Sequence, residues 1–98
     1  MATFVTTLKF TSKGIADIHE TCERAKQFEV AAKKLKVKVT DTLWTQGPFD
    51  GLIVFEAPDP LTATVLMASL SSKGFVQTQT ACAYRATEMK DILAKMPK

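Results

Sequence analysis

The chain has a single histidine, His19, and only two cysteines, Cys22 and Cys82, and these scarcities exclude several chemistries at once. One histidine cannot build a His-rich metal site, and it leaves no Ser/His/Asp arrangement beyond coincidence. The cysteines are far apart and lack C-x-x-C or metal-ligand spacing, so both read as free thiols of a reducing compartment. No metal and no cofactor is expected. No apolar run approaches the roughly 20 residues of a membrane span. Met1 to Phe10 is a hydroxyl-rich strand pattern without a charged n-region or signal core. The expectation is a soluble, cytoplasmic protein with no membrane partner. A net charge of +3, with ten acidic residues among the basic ones, is too small and too evenly mixed to imply nucleic acid. The one charge run, Lys33-Lys34-Leu35-Lys36-Val37-Lys38, reads as a solvated helix end whose lysines complement the helix dipole. It has no interleaved aromatics for stacking bases. There is no internal repeat, low-complexity segment or linker.

What is present is globular. Hydrophobic residues at 46% and charged residues at 23% are near average, and 98 residues suffice for one core without disulfides. A single domain over residues 1–98 is expected. Thr3 to Phe10 alternates, with Phe4, Thr6, Leu8 and Phe10 on one face, and reads as a first strand. Thr11-Ser12-Lys13-Gly14 breaks it. Ile15 to Glu20 suggests a short helical turn, and Thr21 a cap for a helix from Cys22 to about Lys36, with Ala25, Phe28, Ala32 and Leu35 at helical spacing. Val37 to Thr45 and Leu52 to Glu56 read as strands joined through Gly47-Pro48-Phe49, a connection too short for a crossover. Asp59-Pro60 starts a helix through Lys73, and Gly74 ends it. Phe75 to Tyr84 is a fourth strand. Thr87 is placed to cap a last helix with Met89, Ile92, Leu93 and Met96 as its apolar stripe.

This order predicts an α+β fold, the ferredoxin-like βαββαβ plan with a four-stranded antiparallel sheet and an extra C-terminal helix. The first and third strands carry apolar residues on both faces, Phe4 and Leu8 against Val5, and Ile53 and Phe55 against Leu52 and Val54. Antiparallel sheets commonly leave one face wet. A second apolar face therefore calls for a cover, either the C-terminal helix or a partner subunit. A two-fold homodimer packed sheet against sheet meets the need.

The residues also resemble the GYD domain family over nearly the whole chain. The likeness rests on Lys9-Phe10-Thr11 with Gly14-Ile15 just after, Arg24, Trp44-Thr45, and the signature Gly47-x-Phe49-Asp50. It continues through Glu56-Ala57-Pro58-Asp59, Leu70, Gly74 and Thr78-x-Thr80. The tyrosine of the family's name corresponds to Phe49, so this chain has no phenolic hydroxyl there. The resemblance implies a dimeric alpha-beta barrel type of fold and says more about dimerisation than about activity. Superfamily members that oxidise quinols or degrade haem use a buried Trp beside Asn. This chain has no asparagine at all, which counts against both mechanisms.

Six residues stand out for a ligand site. His19 reads as a surface residue or, if the Gly14 to Glu20 segment closes over the open end of the sheet and helix layer, as a base or axial ligand. Arg24 is either an anion-binding group at a pocket mouth or half of a salt bridge. Trp44, on the strand face opposite Leu43, packs or contacts a ligand. Asp50 satisfies turn N–H groups or accepts a proton, Phe49 stands at the turn, and Tyr84 ends the fourth strand as a polar handle. Three functions stay open. One is a homodimeric small-molecule-binding or interaction module. Another is a cofactor-independent oxygenase, isomerase or lyase on an aromatic or polyketide-like substrate, with His19 as base. The third is a structural self-assembling subunit, which requires a filled core.

Overall fold

Each strand of the sheet has an antiparallel neighbour, and two split βαβ units interleave to produce it. The computed structural model describes all of residues 1–98. In chain order the elements are β1 (Ala2–Phe10), α1 (Ser12–Ala16), a 3-10 turn (Ile18–Glu20), α2 (Thr21–Lys34), β2 (Lys38–Trp44), β3 (Gly51–Ala57), α3 (Pro60–Ser72), β4 (Val76–Ala83) and α4 (Ala86–Lys95). The sheet order is β2-β3-β1-β4. β1 and β2 flank β3, and β3 and β4 flank β1, which is the ferredoxin-like arrangement the sequence predicts. No helix is long and apolar enough to cross a membrane.

α2 and α3 cover one face. Phe4, Ile53, Phe55 and Ala57 from the sheet meet Phe28 and Ala32 of α2 and Ala63, Leu66 and Met67 of α3 in one cluster. The Phe4 and Phe55 rings stack at 5.4 Å. Thr6 brings a hydroxyl into this core, fully buried. It lies 2.8 Å from the Thr80 hydroxyl and 3.4 Å from the Met67 sulfur, so its polarity is satisfied inside the fold.

Helix ends explain most departures from the sequence reading. Asp59 caps α3 as expected, its Oδ1 accepting the Thr62 N–H at 2.7 Å. Thr21 is instead the first residue of α2, and Glu20 precedes it without a side-chain cap. α4 begins at Ala86 and not after Thr87; Arg85 occupies the cap position, where its N–H donates to Glu88 Oε1 at 3.0 Å. α2 stops at Lys34 in a Schellman turn. Val37 N–H donates to Ala32 C=O at 2.9 Å and Lys36 N–H to Lys33 C=O at 3.0 Å, with Lys36 in the left-handed region at φ 59°. The segment before α2 splits into α1, capped by Thr11, and the 3-10 turn.

The second sheet face is not covered by α4, one of the two covers anticipated from sequence. The molecule is only 18 Å thick against a length of 53 Å, which leaves room for one helix layer on one sheet. α4 buries none of its residues. Met89, Ile92, Leu93 and Met96 are all exposed. Arg85 Nη2 sits 3.7 Å from Glu56 Oε2, the one ion pair of the chain, and ties the root of α4 to the end of β3.

Candidate functional site

A cavity of ≈ 100 Å³ opens between α2, α3 and the end of the sheet where β1 and β2 finish and β3 begins. Its apolar walls come from the helical spacing of Phe28, Leu66 and Leu70 and the strand alternation of Leu8, Phe10 and Ile53. Polar groups are few, as is usual for small-molecule sites.

Trp44 and Asp50 border this cavity from the two ends of the β2–β3 connection. The register pairs Trp44 with Gly51 and Leu43 with Leu52, so Trp44 falls on the helix-covered side together with Ile53 and Phe55. Its indole N–H donates to the Thr21 hydroxyl at 3.0 Å while about half of the residue stays exposed. Asp50 fixes the turn. Its Oδ2 accepts the Phe10 N–H at 2.8 Å, its own N–H donates to Leu8 C=O at 2.7 Å, and its C=O accepts the Thr45 N–H at 2.9 Å.

Arg24 reaches the mouth from the first turns of α2. It donates to Asp17 C=O at 2.8 Å and, at a longer 3.5 Å, to Gly14 C=O, with the guanidinium 4.4 Å from the Phe75 ring centroid. It has no carboxylate partner within ion-pairing distance.

The other three residues lie outside. His19 is exposed on the 3-10 turn and lines no part of the cavity. Phe49 borders a separate, more polar pocket with Thr7, Lys9, Pro48 and Gln77, and its C=O accepts the Thr45 hydroxyl at 2.6 Å. Tyr84 follows β4 and is 58% exposed. No three of the His, Cys, Asp and Glu side chains converge as a metal site would require.

Thr42 and Phe75 were not anticipated from sequence. Thr42 pairs with Ile53, lines the cavity, and carries the one buried side-chain polar atom without a partner, its Oγ1. A strand threonine looks the same in sequence whether or not its hydroxyl is satisfied. Phe75 reads as an ordinary strand residue, yet its position after the left-handed Gly74, at φ 83°, puts the ring beside Arg24.

No curated protein and no solved structure matched the chain. The GYD domain model matches residues 4–93, a span that includes both covering helices, all the cavity walls and most of α4, and the chain belongs to the GYD domain family.

Proposed function

We propose that this GYD-domain protein is a homodimeric small-molecule-binding module whose ligand occupies the cavity between α2, α3 and the sheet. The observation that carries the reading is the unpartnered, buried Thr42 hydroxyl among predominantly apolar walls. A buried hydroxyl without a partner is costly in the free protein, and a ligand atom that bonds to it recovers that cost. The open cavity favours a ligand over the purely structural role, which needs a filled core. His19, the base required by the enzymatic reading, lies outside the cavity walls.

The second copy is argued from the uncovered sheet face. Val5, Leu52 and Val54 on the inner strands and the exposed Leu43 at the edge form an apolar patch on that face, bordered by Lys9, Asp41, Glu56, Gln77 and Gln79. The apolar stripe of α4 stands free at its end. Two copies related by a two-fold axis would bury both surfaces and leave each cavity on the outside of its own sheet. Native mass spectrometry on gently purified protein tests both parts. A dimer that retains a small added mass is expected. A monomer at micromolar concentration would remove the dimer, and an assembly free of added mass that also fails to bind small ligands would remove the binding role.

A further inference from the structure

We propose that the cavity selects a carboxylate-bearing ligand with a compact apolar body, about one ring in size, and that Arg24 is the group that holds the carboxylate. The inference rests on the binding reading above and adds the chemistry of the ligand.

Arg24 lies 4.4 Å from the Phe75 ring centroid and the Lys13 ammonium 4.5 Å, so two cations share one aromatic ring. A ring quadrupole attracts a cation but cancels no charge. Lys13 spends one N–H on the Lys73 C=O at 3.2 Å. Arg24 spends two on the carbonyls of Asp17 and Gly14. A guanidinium has five N–H groups in a planar fork, so three remain without a protein acceptor. Arg24 is only partly exposed. Lys73 also lines the cavity, so its charged lining residues are two cations, Arg24 and Lys73, and one acid, Asp50.

The one acid lining the cavity does not answer them. Asp50 has an oxygen committed to the Phe10 N–H at 2.8 Å, and the chain's single ion pair is elsewhere, between Arg85 and Glu56. The mouth therefore carries excess positive charge over low-dielectric walls, a setting that concentrates anions. The planar fork of Arg24 matches a carboxylate in two parallel hydrogen bonds. Size restricts the rest of the ligand. A volume of ≈ 100 Å³ open at one side takes a single ring or a chain of similar bulk. Phe28, Leu66 and Leu70 would bury that body, and Trp44 would lie along it.

Trp44 is the only tryptophan, so its emission reports occupancy directly. The experiment compares phenylacetate with its neutral isostere phenylacetamide on the intact protein, by Trp44 fluorescence and by calorimetry. Phenylacetate is expected to bind about tenfold more tightly or better, a gap of roughly 1.4 kcal/mol, and the gap should shrink as salt is raised. In Arg24→Gln the acid should lose its advantage over the amide, with far-UV circular dichroism reporting the fold. Equal binding of acid and amide by the wild-type chain would overturn the carboxylate inference and leave the cavity reading standing. A gap that persists in Arg24→Gln would overturn the role of Arg24. Binding of neither compound would overturn this inference and weigh equally against the reading it rests on.

Discussion

Replacing Thr42 by valine should stabilise the ligand-free protein, an unusual direction for a substitution at a partly buried strand position. Thr42 Oγ1 is buried and has no partner. Such a group costs about 1–3 kcal/mol relative to its hydrated state. Valine keeps the branched shape and the strand preference of threonine and puts a methyl group where the hydroxyl was. The low end of that range, about 1 kcal/mol, is the expected gain, because the cavity wall leaves the new methyl short of packing partners. For a domain of this size it would raise Tm by roughly 4–8 °C. Urea unfolding measures it as a shift in midpoint at unchanged slope. Thr42→Ser is the control. It retains the hydroxyl and loses a methyl group, so it should destabilise by about 0.8 kcal/mol. If valine destabilises as much as serine does, the hydroxyl is already satisfied in the free protein, and the reasoning that makes it a ligand contact fails.

Two further predictions concern the helix ends. Lys36 occupies the left-handed position of the Schellman turn at φ 59°, so Lys36→Gly should stabilise by about 1 kcal/mol and Lys36→Val should destabilise. Equal melting temperatures for the three proteins would contradict that geometry. At α3 the backbone N–H of Thr62 holds the Asp59 carboxyl below its ordinary pKa. A depressed folded-state pKa gives stability that is complete above the unfolded value, near 3.9, and is lost as pH falls through the folded value. Asp59→Ala should therefore melt below the wild type at neutral pH. The difference should narrow in acid below about pH 4, whereas Asp59→Asn, a neutral cap, should not show that acid loss. A gap between wild type and Asp59→Ala that is the same at pH 7 and in acid would show that the charge on the cap contributes nothing.

The parts of the fold legible in sequence are those with a local period. Alternation in β1, the short apolar run of β3, helical spacing in α2, and the Asp59-Pro60 start each depend on neighbours a few residues away. Caps were less legible because a hydroxyl can be spent elsewhere. Thr21 looks like a cap, but its oxygen accepts the Trp44 indole N–H at 3.0 Å. The end of α2 was obscured by Lys36, since glycine is the usual residue in the left-handed position. Irregular pairing was also invisible: the register of β2 on β3 shifts between Val39 and Asp41, where the Thr40 hydroxyl donates to Val54 C=O at 3.1 Å. Of the six site residues, Arg24, Trp44 and Asp50 meet because α2, the end of β2 and the entry to β3 share one end of the sheet. His19 precedes that helix, on a turn outside the walls.

Residues that carry the GYD resemblance also make the hydrogen bonds that tie that end together. The Thr11 hydroxyl donates to Gly74 C=O at 2.6 Å and accepts the Gly14 N–H at 3.1 Å, while Thr11 N–H donates to Phe75 C=O at 3.0 Å. Gly14 comes so close that a Cβ there would run into the same Phe75 oxygen. On the opposite wall Asp50 holds Phe10 and Leu8. β1 thus leaves the sheet clamped on both sides, to β4 by Thr11 and to the β2–β3 turn by Asp50. The clamp fixes the backbone under Phe75 and so fixes where its ring meets Arg24 and Lys13. These side chains are long and only partly held, whereas the frame beneath them is short-range and hydrogen-bonded. A ligand arriving at the mouth would therefore rearrange the cations and leave the sheet where it is. The signature residues Thr11, Gly14, Asp50 and Gly74 thus build the hydrogen-bonded frame of this end, and Arg24, also part of the signature, is mounted upon it.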